Sequence, residues 1–166
     1  MNFGPANQIT TLRAVLAAVL VFLDNPWSAV LIALVAVLLD GVDGWVARRT
    51  RTASAFGARF DMETDAALIQ VLAILVWQYG KAGPWVLASG LLRYAFVAAG
   101  WLWPWMRRPL VSSLRGKTIC VVQMVALIVA IVPTVAPPTS SAVAAVGLLA
   151  LCYSFLVDTL RLWRTQ

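Results

Sequence analysis

Asp40-Gly41-Val42-Asp43-Gly44-Trp45-Val46-Ala47-Arg48, continued after eight residues by Gly57-Ala58-Arg59-Phe60-Asp61-Met62-Glu63-Thr64-Asp65, holds five of the seven acidic residues of the chain. Asp40 and Asp43 are three apart at the end of one apolar run; Asp61 and Asp65 are four apart at the start of the next. Both spacings put two carboxylates on one helical face. A basic loop of about twelve residues joins the two runs, so the pairs are expected to meet at one depth. Aspartate is costly in a bilayer, at roughly 2.5–3.5 kcal/mol each on insertion scales. Four together, with like charges adjacent, call for a cation. A helix dipole favours Asp61 and Asp65 at a helix start but opposes Asp40 and Asp43 at a helix end, so helix-end chemistry alone does not explain the group.

The ligand chemistry narrows the ion. The chain has no His and two cysteines, and the site is all oxygen, which fits Mg²⁺, Mn²⁺ or Ca²⁺ and not Zn²⁺ or copper. Four carboxylates can neutralise two divalent ions, the arrangement that clamps both oxygens of a phosphoryl transfer. Cys120 and Cys152 lie in separate apolar runs and read as small buried hydrophobes.

Outward from this stretch the chain is apolar. Of 166 residues, 61% are hydrophobic and 12% charged, where soluble domains carry roughly 25% charged. Apolar runs at about 8–23, 27–47, 60–79, 84–106, 114–133 and 140–162 are each near the roughly 20 residues a span needs. The expected fold is all-α, a polytopic bundle of six transmembrane helices. The first run is weakest, with Asn7, Gln8, Thr10, Thr11 and Arg13 ahead of it; no small-x-small cleavage site precedes Asp24, so it is expected to remain as a partly polar helix.

Charge sets the orientation. Arg48, Arg49, Arg51 and Arg59, then Arg107, Arg108, Arg115 and Lys117, then Arg161 and Arg164 share one side, against Lys81 on the other. By the positive-inside rule both termini and both basic loops are cytoplasmic, and Trp27, Trp77 and Trp85 mark the outer interface. The net charge of +6 then reflects orientation and anionic headgroups, not nucleic acid.

The motif Asp40-x2-Asp43-Gly44-x2-Ala47-Arg48-x8-Gly57-x3-Asp61-x3-Asp65 resembles the signature of the CDP-alcohol phosphotransferases (the CDP-alcohol phosphatidyltransferase family) at all eight fixed positions. Pro5-Ala6-Asn7-Gln8-Ile9-Thr10-Thr11-Leu12-Arg13 is similar to the Pro-Asn…Thr…Arg opening of many members. The resemblance implies that residues 1–166 form a single membrane domain of this type. It implies two Mg²⁺ or Mn²⁺ ions held by Asp40, Asp43 and Asp61, with Asp65 completing the site and acting as base. Gly44, Ala47, Arg48 and Gly57 would line the cleft for the CDP group. Members move a phosphoalcohol from a CDP-linked donor, commonly CDP-diacylglycerol, to a small alcohol acceptor and release CMP. The same resemblance implies a homodimer in the inner (plasma) membrane, multi-pass, with the active site facing the cytoplasm.

An anionic acceptor would want more positive charge. Arg107, Arg108, Arg115 and Lys117 lie on the expected side, and Arg93 sits within the fourth run, where an arginine is a functional candidate. Asp61-Met62-Glu63-Thr64-Asp65 looks more like the Asp-Met-x-Thr-Asp of eukaryotic phosphatidylinositol synthases than the Asp-Pro-x-Ala-Asp-Lys of bacterial phosphatidylglycerophosphate synthases. The competing readings are a divalent-cation transporter, which tends to place such acids near the midplane between repeated halves, and an inactive structural relative.

Overall fold

A computed structural model of the chain describes residues 5–50, 55–103 and 114–164, with side chains described except at 5–7, 43–48, 50, 55–56 and 114. Every regular element among them is helical: α1 Pro5–Leu20, α2 Pro26–Thr50, α3 Ala55–Gln78, a single 3-10 turn Pro84–Leu87 running into α4 Ala88–Leu102, α5 Leu114–Ile131 and α6 Thr139–Arg164.

Local chemistry sets the boundaries. Asn25 caps α2, its Oδ1 accepting the Trp27 N–H at 2.9 Å, with Pro26 at the first helical position. At the end of α3, Gly80 takes φ 67°. Its N–H donates to the Trp77 carbonyl and that of Lys81 to the Val76 carbonyl, both at 2.9 Å, which closes the helix in a Schellman turn.

α3 is the central element, packed against α1, α4 and α5; α1 also lies on α2, and α5 on α6. Leu68, Leu72, Leu75 and Val76 of α3 are buried with Leu20, Met124, Leu127 and Ile131. Ala29, Ala33 and Ala36 are all fully buried, so α2 turns a stripe of small side chains inward and its neighbour can approach closely. Two glycines mark still tighter contacts. A Cβ at Gly90 of α4 would stand 2.7 Å from the Gln70 Cα, and one at Gly147 of α6 would stand 3.0 Å from the Ala126 Cβ. Cys120 is half-buried, but Cys152 is exposed, not buried as its apolar run suggests. It lies on the outward stripe of α6 with Leu149 and Leu156, where apolar surroundings in sequence do not mean a packed neighbour.

The elements differ from the sequence reading at one important place. The loop of about twelve residues between the acidic pairs is mostly helix: α2 continues to Thr50 and α3 begins at Ala55. Apolar runs end where side-chain chemistry changes, but backbone hydrogen bonding continues through Arg48, Arg49 and Ala58 because those residues are good helix formers. Among the described residues, two stretches, Pro84–Leu102 and Thr139–Arg164, are long and apolar enough to cross a membrane, with mean hydropathy 1.4 and 2.0.

The helix ends opposite the acidic residues are tied together. The Lys81 ammonium donates to the carbonyls of Val132, Pro133 and Val135 at 3.1, 3.3 and 2.7 Å, closing the end of α5. Ser140 Oγ donates to the Lys81 carbonyl at 2.7 Å, and the Tyr79 hydroxyl to the Leu23 carbonyl at 2.8 Å. Tyr79 and Lys81 thus join three connections at one end of the bundle.

Candidate active site

The polar residues of α1 are not the mark of a poor helix. Thr10, Arg13, Ala17 and Leu20 are all buried, at spacings of three, four and three that trace one face. That face lies against α2 and α3 and carries Arg13 inward.

Arg13 is fully buried and meets three carboxylates from two helices. Its Nη1 lies 2.9 Å from Asp40 Oδ1 of α2 and 2.7 Å from Asp61 Oδ1 of α3, and its Nη2 lies 2.5 Å from Asp65 Oδ1. Its Nε donates at 3.2 Å to the carbonyl of Ala36, one helical turn before Asp40. The guanidinium fork suits this geometry, since planar donors reach several oxygens at once where an ammonium supplies a point charge.

Asp40, Asp61 and Asp65 each offer a carboxylate oxygen to a group whose atoms lie within 4.8 Å of one another. Their side chains are 22%, 31% and 20% exposed while that of Arg13 is 0% exposed. The arginine therefore underlies the group, and its open edge faces away from the core. Three anionic oxygen donors at this separation, half-open to one side, fit a hard divalent cation such as Mg²⁺ or Mn²⁺. One guanidinium does not neutralise three carboxylates, so the fit holds with Arg13 in place.

The expected convergence of α2 and α3 acids is met by Asp40, Asp61 and Asp65. The side chains of Asp43, Ala47 and Arg48, and the surroundings of Gly44, lie outside the described residues, although all four positions fall on α2. Gly57 falls in the first turn of α3, not in a loop. Among the described residues, a Cβ added at Gly41 would meet nothing within 4 Å, so the space beside it is open and none of their helices accounts for the glycine.

The basic residues considered for an acceptor divide. Arg93 Nη2 pairs with Glu63 Oε1 at 2.8 Å, a partner outside the aspartate group. Arg115 Nη2 pairs with Asp158 Oδ1 of α6 at 2.5 Å. Lys117 is exposed and within electrostatic reach of Asp40. Arg107 and Arg108 lie outside the described residues. Ala66, where the bacterial glycerophosphate-type motif carries Lys, is 5% exposed and packs inward.

Arg13 closes the Pro-Asn…Thr…Arg opening in the sequence, where no part in the acidic site is assigned to it. It was visible as a lone arginine in phase with Ala17 and Leu20 on an apolar helix, and the physical reason that singles out Arg93 applies to it more strongly.

The family model for CDP-alcohol phosphatidyltransferases matches residues 3–157. The chain belongs to the CDP-alcohol phosphatidyltransferase family. It is similar to the CDP-diacylglycerol–glycerol-3-phosphate 3-phosphatidyltransferase of Escherichia coli strain K12, with 33% identity over 141 residues that make up 76% of each chain. The enzyme of the same name from Cereibacter sphaeroides is 28% identical over 94 residues, covering 52% of this chain and 42% of that one. This second match thus spans less than half of the relative's length.

Proposed function

We propose that this protein is an integral-membrane phosphatidyltransferase that moves a phosphatidyl group from CDP-diacylglycerol to the hydroxyl of a small polyol or polyol phosphate and releases CMP. The observation that carries this reading is the meeting of Asp40, Asp61 and Asp65 within 4.8 Å, from the motif of a family defined by that chemistry. Bound divalent ions supply electrostatic stabilisation of the pyrophosphate as its bond breaks. Asp40, Asp61 and Asp65, with Asp43, hold those ions. Asp65 takes the proton from the acceptor hydroxyl, and Gly44, Ala47, Arg48 and Gly57 line the CDP cleft.

Glycerol 3-phosphate is the first acceptor to test, because two relatives carry it in their names. The Met62-Glu63-Thr64 segment and the inward Ala66 pull the other way, toward an inositol-type acceptor. Lys117 is the basic residue best placed to meet an acceptor phosphate, with Arg107 and Arg108 as further candidates; Arg93 and Arg115 act there only by exchanging their carboxylate partners.

Six crossings with both termini cytoplasmic place the aspartates near the inner face, where acyl chains stay in lipid and the nucleotide stays in water. Exposed Phe22, Leu31, Leu38, Val146 and Leu149 support bilayer contact, as such apolar faces are rare on water-soluble monomers. A homodimer follows from the family resemblance.

Purified protein with labelled CDP-diacylglycerol, Mg²⁺ or Mn²⁺ and a panel of polyols tests the reading. CMP release is expected, with mass spectrometry of the lipid product naming the acceptor. Metal-dependent ion flux in liposomes with no CMP released against any polyol would replace it with the transporter.

A further inference from the structure

Arg13 lies in no motif aspartate's role, yet its guanidinium is the most buried charge in the described site and holds one oxygen of each of three carboxylates. Two features separate it from an ordinary ion pair. It is fully buried while the three carboxylates stay partly exposed, so it meets them from the core side. Its Nε is anchored to the Ala36 carbonyl on α2, so the fork is positioned by backbone as well as by charge.

We propose that Arg13 is a resident counter-cation of the carboxylate group: a positioning residue that keeps Asp40, Asp61 and Asp65 assembled when no divalent ion is bound and tempers their affinity for one. This rests on the reading of the aspartates as a divalent-cation site. Without a cation, three carboxylates within 4.8 Å repel one another in a poorly solvated place. Arg13 lowers the energy of that empty state. It also sits next to where an incoming ion must lie, and a fixed positive charge there opposes the ion. Both effects narrow the free-energy gap between empty and loaded site, so ions exchange more readily and the helices need not part when they leave.

Mn²⁺ binding to detergent-solubilised protein, followed by electron paramagnetic resonance of the free ion, tests this without any turnover. Arg13→Met is expected to bind Mn²⁺ about tenfold or more tightly than wild type, and to gain more thermal stability from it. Arg13→Lys, which keeps a charge, is expected to lie near wild type in affinity. Recovery of folded Arg13→Met only when Mn²⁺ is present supports the proposal. The double variant Arg13→Met/Asp61→Asn, with the net charge of wild type, is then expected to fold without the ion. Equal or weaker Mn²⁺ affinity in Arg13→Met overturns the proposal, as does a double variant no more stable than Arg13→Met, since the loss is then one of packing. If wild type binds no divalent ion, the metal reading of the site falls and this proposal with it; wild-type binding that Arg13→Met leaves unchanged removes this proposal alone.

Discussion

Gly41 stands one residue after Asp40 with open space where a side chain would be, and it lies within α2. Glycine inside a helix is unfavourable by about 1 kcal/mol relative to alanine, and no packed neighbour among the described residues offsets that here. Gly41→Ala is therefore expected to leave thermal stability unchanged or raise it by up to about 1 kcal/mol, while raising KM for the CDP-linked donor as the methyl enters the approach to Asp40. Unfolding curves and steady-state kinetics on one preparation separate the two effects. Asp65→Asn keeps the shape of the side chain but removes the base and one anionic ligand. CMP release is expected to fall by about a hundredfold or more, and a near-normal rate would move the base elsewhere. Asp65 was readable as a motif aspartate and Arg13 as an arginine in phase with an apolar face, whereas their pairing was not. Arg13 is 52 residues away in sequence, and only packing brings them together.

At the level of the helices, the acidic end of the bundle and its opposite end are held by different chemistry. Three elements meet at Arg13, while the turns after α1, α3 and α5 meet at Tyr79 and Lys81. Lys81→Met removes three bonds to the carbonyls that end α5, each charge-assisted. It is expected to reduce stability by about 1–3 kcal/mol and to leave Mn²⁺ affinity at the aspartates unchanged, since α2 runs about 21 Å at 1.5 Å per residue from Pro26 to Asp40. Gly147→Leu forces α5 and α6 apart at Ala126 and is expected to cost about 1–3 kcal/mol or more by overpacking; a thermal melt in detergent checks it. The turn chemistry behind these elements was legible from Asn25-Pro26 and Gly80. The extent of α2 and α3 through the basic segment was not, because an apolar run reports which residues face lipid or core and not how far a helix continues.

For the molecule as a whole, orientation is the open quantity with a direct readout. In a variant whose Cys120 and Cys152 are replaced by serine, Thr134→Cys is expected to react in intact cells with a membrane-impermeant maleimide, and Arg59→Cys only after permeabilisation. The reverse pattern would invert the topology and put the aspartates outside. Chelation by EDTA is expected to abolish CMP release reversibly while lowering the unfolding temperature only slightly, because Arg13 still pairs Asp40, Asp61 and Asp65 in the stripped protein.

Composition and spacing were enough to establish a helical, apolar chain with two pairs of acids on adjacent helices, and motif spacing was enough for the family. Those are properties of local periodicity and of residue type, which a linear string carries in full. Only the tertiary structure decided that an arginine from the first helix sits beneath the acids, that Arg93 and Arg115 are engaged by Glu63 and Asp158, and that Gly41 borders open space. Each of those depends on which helix faces which, a relation between distant segments that is set by the fit of small and large side chains across the bundle and leaves no periodic trace in the chain.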